Sequence, residues 1–189
     1  EDANFLVQNK SYGFFDDYLK NQFSKKKVTI KNSNFFFKDK NNKTISIFPI
    51  KKINLFYDEE ELVNKMIAKG KFFKIPFNIE WNKNFEKDAK SVTLIKLKKL
   101  DLEIKNKSFI KDKKYLAKNN IFFRNAKLYS NFQIQNNLIS FNSEDSKIVN
   151  NNLDYNGEIY LEPFDMKLEI NLDKLNLIKF LTSSFDFIK

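Results

Sequence analysis

The chain contains no cysteine and no histidine. Without cysteine there is no disulfide framework and no thiol chemistry. Cysteine content therefore does not indicate whether the protein works in an oxidising or a reducing compartment. Without histidine there is no Ser–His–Asp triad, no Cys–His pair, and no zinc or iron site with imidazole ligands. Carboxylate or lysine chemistry, or no catalysis at all, is what remains. We therefore predict a protein that is not an enzyme and that uses no cofactor and no metal.

Glycine, proline and arginine are scarce as well. The 189 residues include three glycines, three prolines and a single arginine, Arg124. Three glycines could hardly build a phosphate-binding loop or a dinucleotide fingerprint. The net charge is +10, but nearly all of it is lysine, whereas nucleic-acid sites usually use the guanidinium fork of arginine. Heavy use of Phe, Ile, Asn, Lys and Tyr together is typical of an A+T-rich genome, so no nucleic-acid partner is expected. A basic nucleic-acid-binding protein remains an alternative.

No apolar run approaches the ~18–20 residues of a membrane-spanning helix. Hydrophobic residues nevertheless make up 42% of the chain, with 22 Phe, which is enough for a sizeable core. The chain begins at Glu1 with no initiating Met and no signal-peptide pattern. We expect it to be a processed product, or an excerpt whose targeting segment lies upstream.

Alternation of apolar and polar residues with period two dominates the sequence. The clearest run places apolar side chains at every second position from Phe164 to Leu172, and 100–105 does the same. Polar clusters rich in Asn and Lys separate such runs every ~8–15 residues, which is typical of antiparallel strands with one face in water. The sequence therefore predicts a mainly β fold. Short helices are predicted near the two termini, over 13–23 and in 176–189, and one or two helical turns after Asp58, running into a strand from about Met66.

Two stretches 87 residues apart share one phrase, Gly70–Trp81 and Gly157–Leu168. In both stretches a Pro-Phe pair follows the glycine by six residues, and its proline is Pro76 or Pro163. After the proline the apolar residues switch from even-numbered to odd-numbered positions in the first stretch, and from odd to even in the second. A strand cannot exchange its faces without a break, so the phrase predicts strand, break, strand. Two approximate repeats, about 28–104 and 115–175, then form one elongated sheet in a β-rich domain over 28–175. Residues 1–27 and 176–189 flank that domain.

Acidic and basic clusters in the sequence have simple structural interpretations. The run from Asp58 to Glu61 lacks calcium-loop spacing and is typical of a helix start. Asp16-Asp17 fits a solvated helix face, and the lysine pairs fit strand ends. The aromatic stripe has a functional interpretation, because an uncovered apolar sheet face must close on itself, dimerise or receive an apolar ligand. It comprises Phe72, Phe77, Trp81, Phe164, Met166 and Leu168. A closed core, as in a structural or adhesive β-sheet surface protein, is the alternative.

Residues 25–175 resemble the AsmA-like proteins, relatives of the bridge-like lipid-transfer proteins. The phrases that carry the resemblance are "VTIKNSNFFFKD" (28–39), "ISIFPIKKINLFYDE" (45–59), "AKGKFFKIPFNIEW" (68–81) and "LISFNSEDSKIVNNNLDYNGEIYLEPFDMKLEINL" (138–172). The chain departs from that family in having no N-terminal membrane helix.

The resemblance implies a curved antiparallel β-groove that shields lipid acyl chains between two membranes. It implies a role in phospholipid transport and outer-membrane maintenance in the bacterial periplasm, with an inner-membrane anchor outside this chain. The implied partners are lipid acyl chains and a membrane. The implied lipid-facing residues are Phe72, Phe77, Ile79, Trp81, Ile159, Phe164, Met166 and Leu168, with Gly70, Pro76, Gly157 and Pro163 shaping the groove.

Overall fold

The structure, a computed structural model, describes residues 2–7, 21–38, 43–85, 90–111, 114–161 and 164–173. These residues are mainly β, as predicted. The chain divides into two compact units, unit 1 from Glu1 to Lys99 and unit 2 from Leu100 to Lys189. The terminal helices are not supported. Residues 11–20 and 174–189 lie outside the described residues, and 21–27 are irregular. Within the described ranges, the single helical element is one 3₁₀ turn at Lys98–Leu100.

Unit 1 contains six strands that are hydrogen-bonded to one another in chain order. Strand β1 runs parallel to β2, and every later neighbour is antiparallel. The strands are β1 (Asp2–Val7), β2 (Val28–Lys38), β3 (Thr44–Asp58), β4 (Val63–Phe72), β5 (Ile75–Asn84) and β6 (Ser91–Leu97).

Unit 2 repeats the antiparallel arrangement with seven strands. Strands β7 to β10 follow chain order, β12 pairs with β10 and β13, and the short β11 pairs with β9 and β12. The strands are β7 (Leu102–Lys111), β8 (Lys114–Phe123), β9 (Ala126–Gln135), β10 (Leu138–Ser143), β11 (Lys147–Ile148), β12 (Asn151–Leu161) and β13 (Phe164–Leu172).

The register of unit 1 collects its apolar side chains on one face. The bulge near Lys51 in β3 adds one residue between Ile50 and Ile53, so both isoleucines point to the same side of the sheet. Paired residues then form rows across β2 to β6, and Ile50, Ile53 and Ala68 are the buried centre of this face. One row is Ile30, Ile53, Ala68, Ile79 and Ile95, and the next is Val28, Leu55, Met66, Trp81 and Thr93.

The segment after Asp58 forms a turn, and the predicted helix there is wrong. Asp58 does cap the chain as at a helix start, because its Oδ1 accepts hydrogen bonds from the backbone N–H groups of Glu60 and Glu61. The chain then leaves the helical region at Leu62, whose φ is 54°, and β4 begins at once at Val63. Pairing of β3 with β4 over eight positions outweighs the local helical preference.

The parity change after Gly70 is produced by a hairpin. Phe72 pairs with Ile75 across the two-residue turn Phe73-Lys74, which returns the apolar positions of β5 to the face that they occupy in β4. Pro76 therefore follows the break and lies inside β5, opposite Lys71. In the second phrase Leu161 pairs with Phe164, so the strand reverses there as well. Pro163 lies outside the described residues.

Candidate functional site

The apolar face of unit 1 forms an open concavity of about 410 Å³ that is lined only by apolar side chains. Its floor contains the buried Ile50, Ile53 and Ala68. Strands β2 to β6 all contribute, so the concavity depends on the pairing of the whole sheet. The lining consists of Phe35, Phe48, Ile50, Ile53, Met66, Ala68, Phe72, Phe77, Ile79, Ile95 and Leu97.

Aromatic rings stack along one side of this concavity. Phe48 and Phe72 are stacked with ring centroids 5.2 Å apart and planes inclined by 3°. They meet because Ile50 pairs with Gly70, which sets the two phenylalanines opposite each other two residues further along. Their contact places a flat aromatic wall on the side of the hairpin tip, where Phe72 is 38% exposed. A flexible hydrocarbon can lie against such a wall without any directional bond.

The other end of the apolar face is covered by the segment before β2. Asn64 is fully buried there, and its side chain accepts a hydrogen bond from the Phe23 N–H at 2.8 Å and donates one to the Asn21 carbonyl at 2.8 Å. The ring of Phe23 lies 6.1 Å from that of Trp81. A buried amide must have its hydrogen bonds satisfied, so Asn64 fastens this segment over the end of the sheet.

The glycines of the two phrases lie beneath phenylalanine rings. A Cβ atom on Gly70 would come within 2.7 Å of Phe77 Cζ, and one on Gly157 would come within 2.7 Å of Phe141 Cζ. Each phenylalanine is the direct cross-strand partner of its glycine. In unit 1 the phenylalanine lies on β5, later in the chain than its glycine. In unit 2 it lies on β10, earlier in the chain than its glycine. Phe164, which the sequence aligns with Phe77, instead pairs with Leu161 at the end of the hairpin.

The eight residues predicted to face lipid divide between the units. Phe72, Phe77 and Ile79 line the concavity of unit 1, while Trp81 lies on the same face beside Phe23. The other four lie on β12 and β13 of unit 2, where Ile159 pairs with Met166. Three of them are exposed on β13: Phe164 at 75%, Met166 at 53% and Leu168 at 47%.

Unit 2 has a groove of a different character. Its lining encloses about 540 Å³ and combines Phe132 and Phe141 with amide and charged side chains such as Asn131, Glu158 and Lys167.

Eight lining residues of the unit 1 concavity lie outside the predicted set, because that set was drawn from the repeated phrase alone. Alternation in 45–57 was the signal that could have found several of them. The missed residues are Phe35, Phe48, Ile50, Ile53, Met66, Ala68, Ile95 and Leu97.

The titratable groups with shifted pKa values lie at the β3–β4 turn. Lys65 Nζ is 2.7 Å from both Asp58 Oδ2 and Glu61 Oε1. The hydrogen bond from Lys65, followed by the one from the Glu61 N–H, lowers the pKa of Asp58. Hydrogen bonds to Asp58 and Glu61 raise the pKa of Lys65, and pairing with Glu59 raises that of Lys25. This arrangement stabilises the turn between β3 and β4, where the sequence pattern predicted the start of a helix.

In the described part of the chain, no group of three or more acidic side chains is placed to hold a metal ion. The same ranges contain no helix with the length and apolarity needed to cross a membrane. No protein-family model matches the chain, and neither a curated protein nor a solved structure matches it significantly.

Proposed function

We propose that unit 1 is a non-enzymatic lipid-handling module whose apolar face shields acyl chains from water. The observation that carries this proposal is the all-apolar, open concavity of about 410 Å³ in a chain with a net charge of +10. An apolar surface of this kind on a charged protein marks an interaction site when no other element covers it. A saturated acyl chain fits its chemistry, because neither surface offers or requires a hydrogen bond.

Burial of methylene groups is sufficient to hold a chain there. Each methylene removed from water contributes ~0.8 kcal/mol, so eight contribute about 6 kcal/mol before the cost of association. The lining residues are held in place by the strand ladders, and their rings and branched side chains lose little further freedom on binding. The net affinity for a single chain is then modest, which suits a protein that passes lipid onward.

The opposite face of strand β4 differs in character from the apolar face. In β4 the residues that alternate with the apolar row include Lys65, Lys69 and Lys71, and the latter two are exposed. Strand β4 therefore carries apolar side chains on one face and lysines, with Ile67 among them, on the other. The resemblance of residues 25–175 to AsmA-like proteins supports phospholipid transport and outer-membrane maintenance as the setting. In that setting the protein acts in the bacterial periplasm, with an inner-membrane anchor outside this chain.

Native mass spectrometry of the protein purified from cells tests the proposal. We expect a co-purifying lipid, and after its removal we expect a soluble fatty-acid probe to rebind. Phe72→Asp places a charge in the aromatic wall, and it should weaken probe binding at least tenfold, because an acyl chain cannot solvate a carboxylate. Leu62→Asp is the matched control and should leave binding unchanged, because Leu62 is an exposed apolar residue of unit 1 that does not line the concavity.

Two outcomes would contradict the proposal. In the first, no lipid co-purifies and the fatty-acid probe does not bind, which would indicate a purely structural apolar face. In the second, Phe72→Asp and Leu62→Asp weaken binding equally, which would indicate nonspecific adsorption to exposed apolar surface. Circular dichroism of both variants verifies that the strands are intact.

A further inference from the structure

The turn between β4 and β5 has a residue that its backbone conformation disfavours. Phe73 and Lys74 both have positive φ, 45° and 66°, in a two-residue hairpin. Such turns favour Asn, Asp and Gly, and a bulky residue in this region is an outlier. The β9–β10 hairpin of the same protein follows the rule, with Asn136 at φ 55° as the first turn residue. Phe73 is therefore retained at a conformational cost.

Phe73 gains little burial in return for that cost. Its side chain is 75% exposed, and its ring touches the edge of Phe72 with centroids 4.5 Å apart. Phe72 in turn stacks on Phe48 in the wall of the concavity. The exposed ring is thus the outermost member of an aromatic series that leads from the hairpin tip into the apolar face. Leu62 and Val149 are also exposed apolar residues with positive φ, so Phe73 is distinguished by its place at the end of this aromatic series.

Among the described residues of unit 1, the charged side chains around this tip are lysines. The sequence KGKFFK, residues 69–74, contains three lysines and no acid. Lys71 and Lys74 flank the phenylalanines and are exposed, and Lys98 and Lys99 follow β6 at the same end of the sheet. The acidic run that begins at Asp58 lies at the opposite end of β4, about 30 Å away for a strand of ten residues. Lys25 and Lys65 pair with that acidic run, so the tip is distinguished by exposed lysines beside an exposed phenylalanine.

We propose that this tip docks unit 1 on an anionic lipid bilayer surface. Phe73 enters the acyl boundary, and Lys71 and Lys74 lie among the lipid phosphates. Exposed aromatic residues and lysines side by side match the apolar and anionic layers of such a surface. This membrane contact lies within the chain, independent of any anchor elsewhere. It does not require that the concavity bind lipid, but it would bring the open, Phe72 side of the concavity to the membrane.

Vesicle co-sedimentation of the whole chain tests the proposal. Vesicles of phosphatidylcholine with one third phosphatidylglycerol should bind the protein, whereas pure phosphatidylcholine vesicles should bind it weakly. Binding should fall steeply as salt rises, because the lysine contribution is screened. Phe73→Asn should weaken binding on the order of tenfold or more, and Lys74→Asn by about fivefold. Phe73→Asn should also raise the melting temperature, because asparagine tolerates the turn conformation.

Leu62→Ser is the matched control, since Leu62 is also an apolar turn residue with positive φ and 63% exposure, but it lies in the acidic turn. It should change vesicle affinity by less than twofold. The proposal is overturned if the protein binds neither vesicle type, or if Leu62→Ser and Phe73→Asn weaken binding equally. Salt-sensitive binding to DNA that exceeds vesicle binding and ignores Phe73 would also overturn it, as would self-association through Phe73. Retained fatty-acid binding in Phe73→Asn distinguishes failure of docking from failure of the concavity.

Discussion

An alanine at position 70 would have no room for its Cβ atom. That atom would come 2.5 Å from the Pro49 carbonyl oxygen and 2.7 Å from Phe77 Cζ. Neither Gly70 nor Gly157 has a positive φ, so glycine is needed at both for space and not for backbone conformation. The Pro49 oxygen belongs to the backbone of β3 and cannot rotate away, whereas the Phe77 ring can. Gly70→Ala must therefore displace a strand, a ring, or both.

The expected cost follows from two opposing contributions. Overpacking in an ordered region costs typically ~1–3 kcal/mol. Alanine recovers ~0.5–1 kcal/mol relative to glycine in a strand, because it loses less conformational freedom on folding. The free energy of unfolding should therefore fall by about 1–2 kcal/mol, which lowers the melting temperature by roughly 2–8 °C for a chain of this size.

Urea denaturation followed by far-UV circular dichroism measures this effect. The midpoint should fall while the slope stays unchanged, because the surface exposed on unfolding is the same. Combining Gly70→Ala with Phe77→Leu should recover only part of the loss, since the Pro49 carbonyl remains in place. Gly157→Ala, beneath Phe141 and beside the Lys167 carbonyl, should behave in the same way. A Gly70→Ala protein as stable as the wild type would refute the reasoning.

Two further changes test the ends of unit 1. Asn64→Ala should lower the free energy of unfolding by ~1–3 kcal/mol, because the buried N–H of Phe23 loses its acceptor, and faster hydrogen exchange at that amide would report it. Lys65→Met should destabilise modestly and in a salt-dependent way, because the Asp58 side chain is partly buried while that of Glu61 is 60% exposed. The wild-type advantage should be full between pH 3.8 and 10.5. It should be lost as the pH falls through the lowered pKa of Asp58 or rises through the raised pKa of Lys65. An advantage that is identical in 1 M salt would contradict this account.

Local patterns predicted the strands because alternation needs only neighbouring residues. The run from Phe164 to Leu172 became β13, and the break after Gly70 became the β4–β5 hairpin. The helix predicted after Asp58 is wrong for the converse reason. The Asp58 side chain does accept a capping hydrogen bond, but the pairing of β3 with β4, a tertiary interaction, determines that a strand follows the turn.

The concavity could not be predicted residue by residue, because it depends on register between strands. The contact of Phe48 with Phe72 exists only because Ile50 pairs with Gly70. The bulge at Lys51 also brings two apolar runs of β3 to one face, and no local signal gives its position. The repeated phrase contains both glycines but only one of their ring partners, Phe77. Phe141 comes from a strand outside the phrase.

The two ends of the apolar face of unit 1 differ. A buried polar residue lies at one end, and a strained, exposed aromatic residue lies at the other. A buried amide on an apolar sheet is stable only when it is satisfied, and Asn64 is satisfied by the backbone of the segment that contains Phe23. That segment occupies the surface beside Trp81, at the end of the strands that carries the acidic turn. The opposite end terminates in the strained, exposed ring of Phe73 among lysines. An acyl chain on this face would therefore meet Phe23 at one end and leave past Phe72 at the other, on the side proposed to contact the membrane.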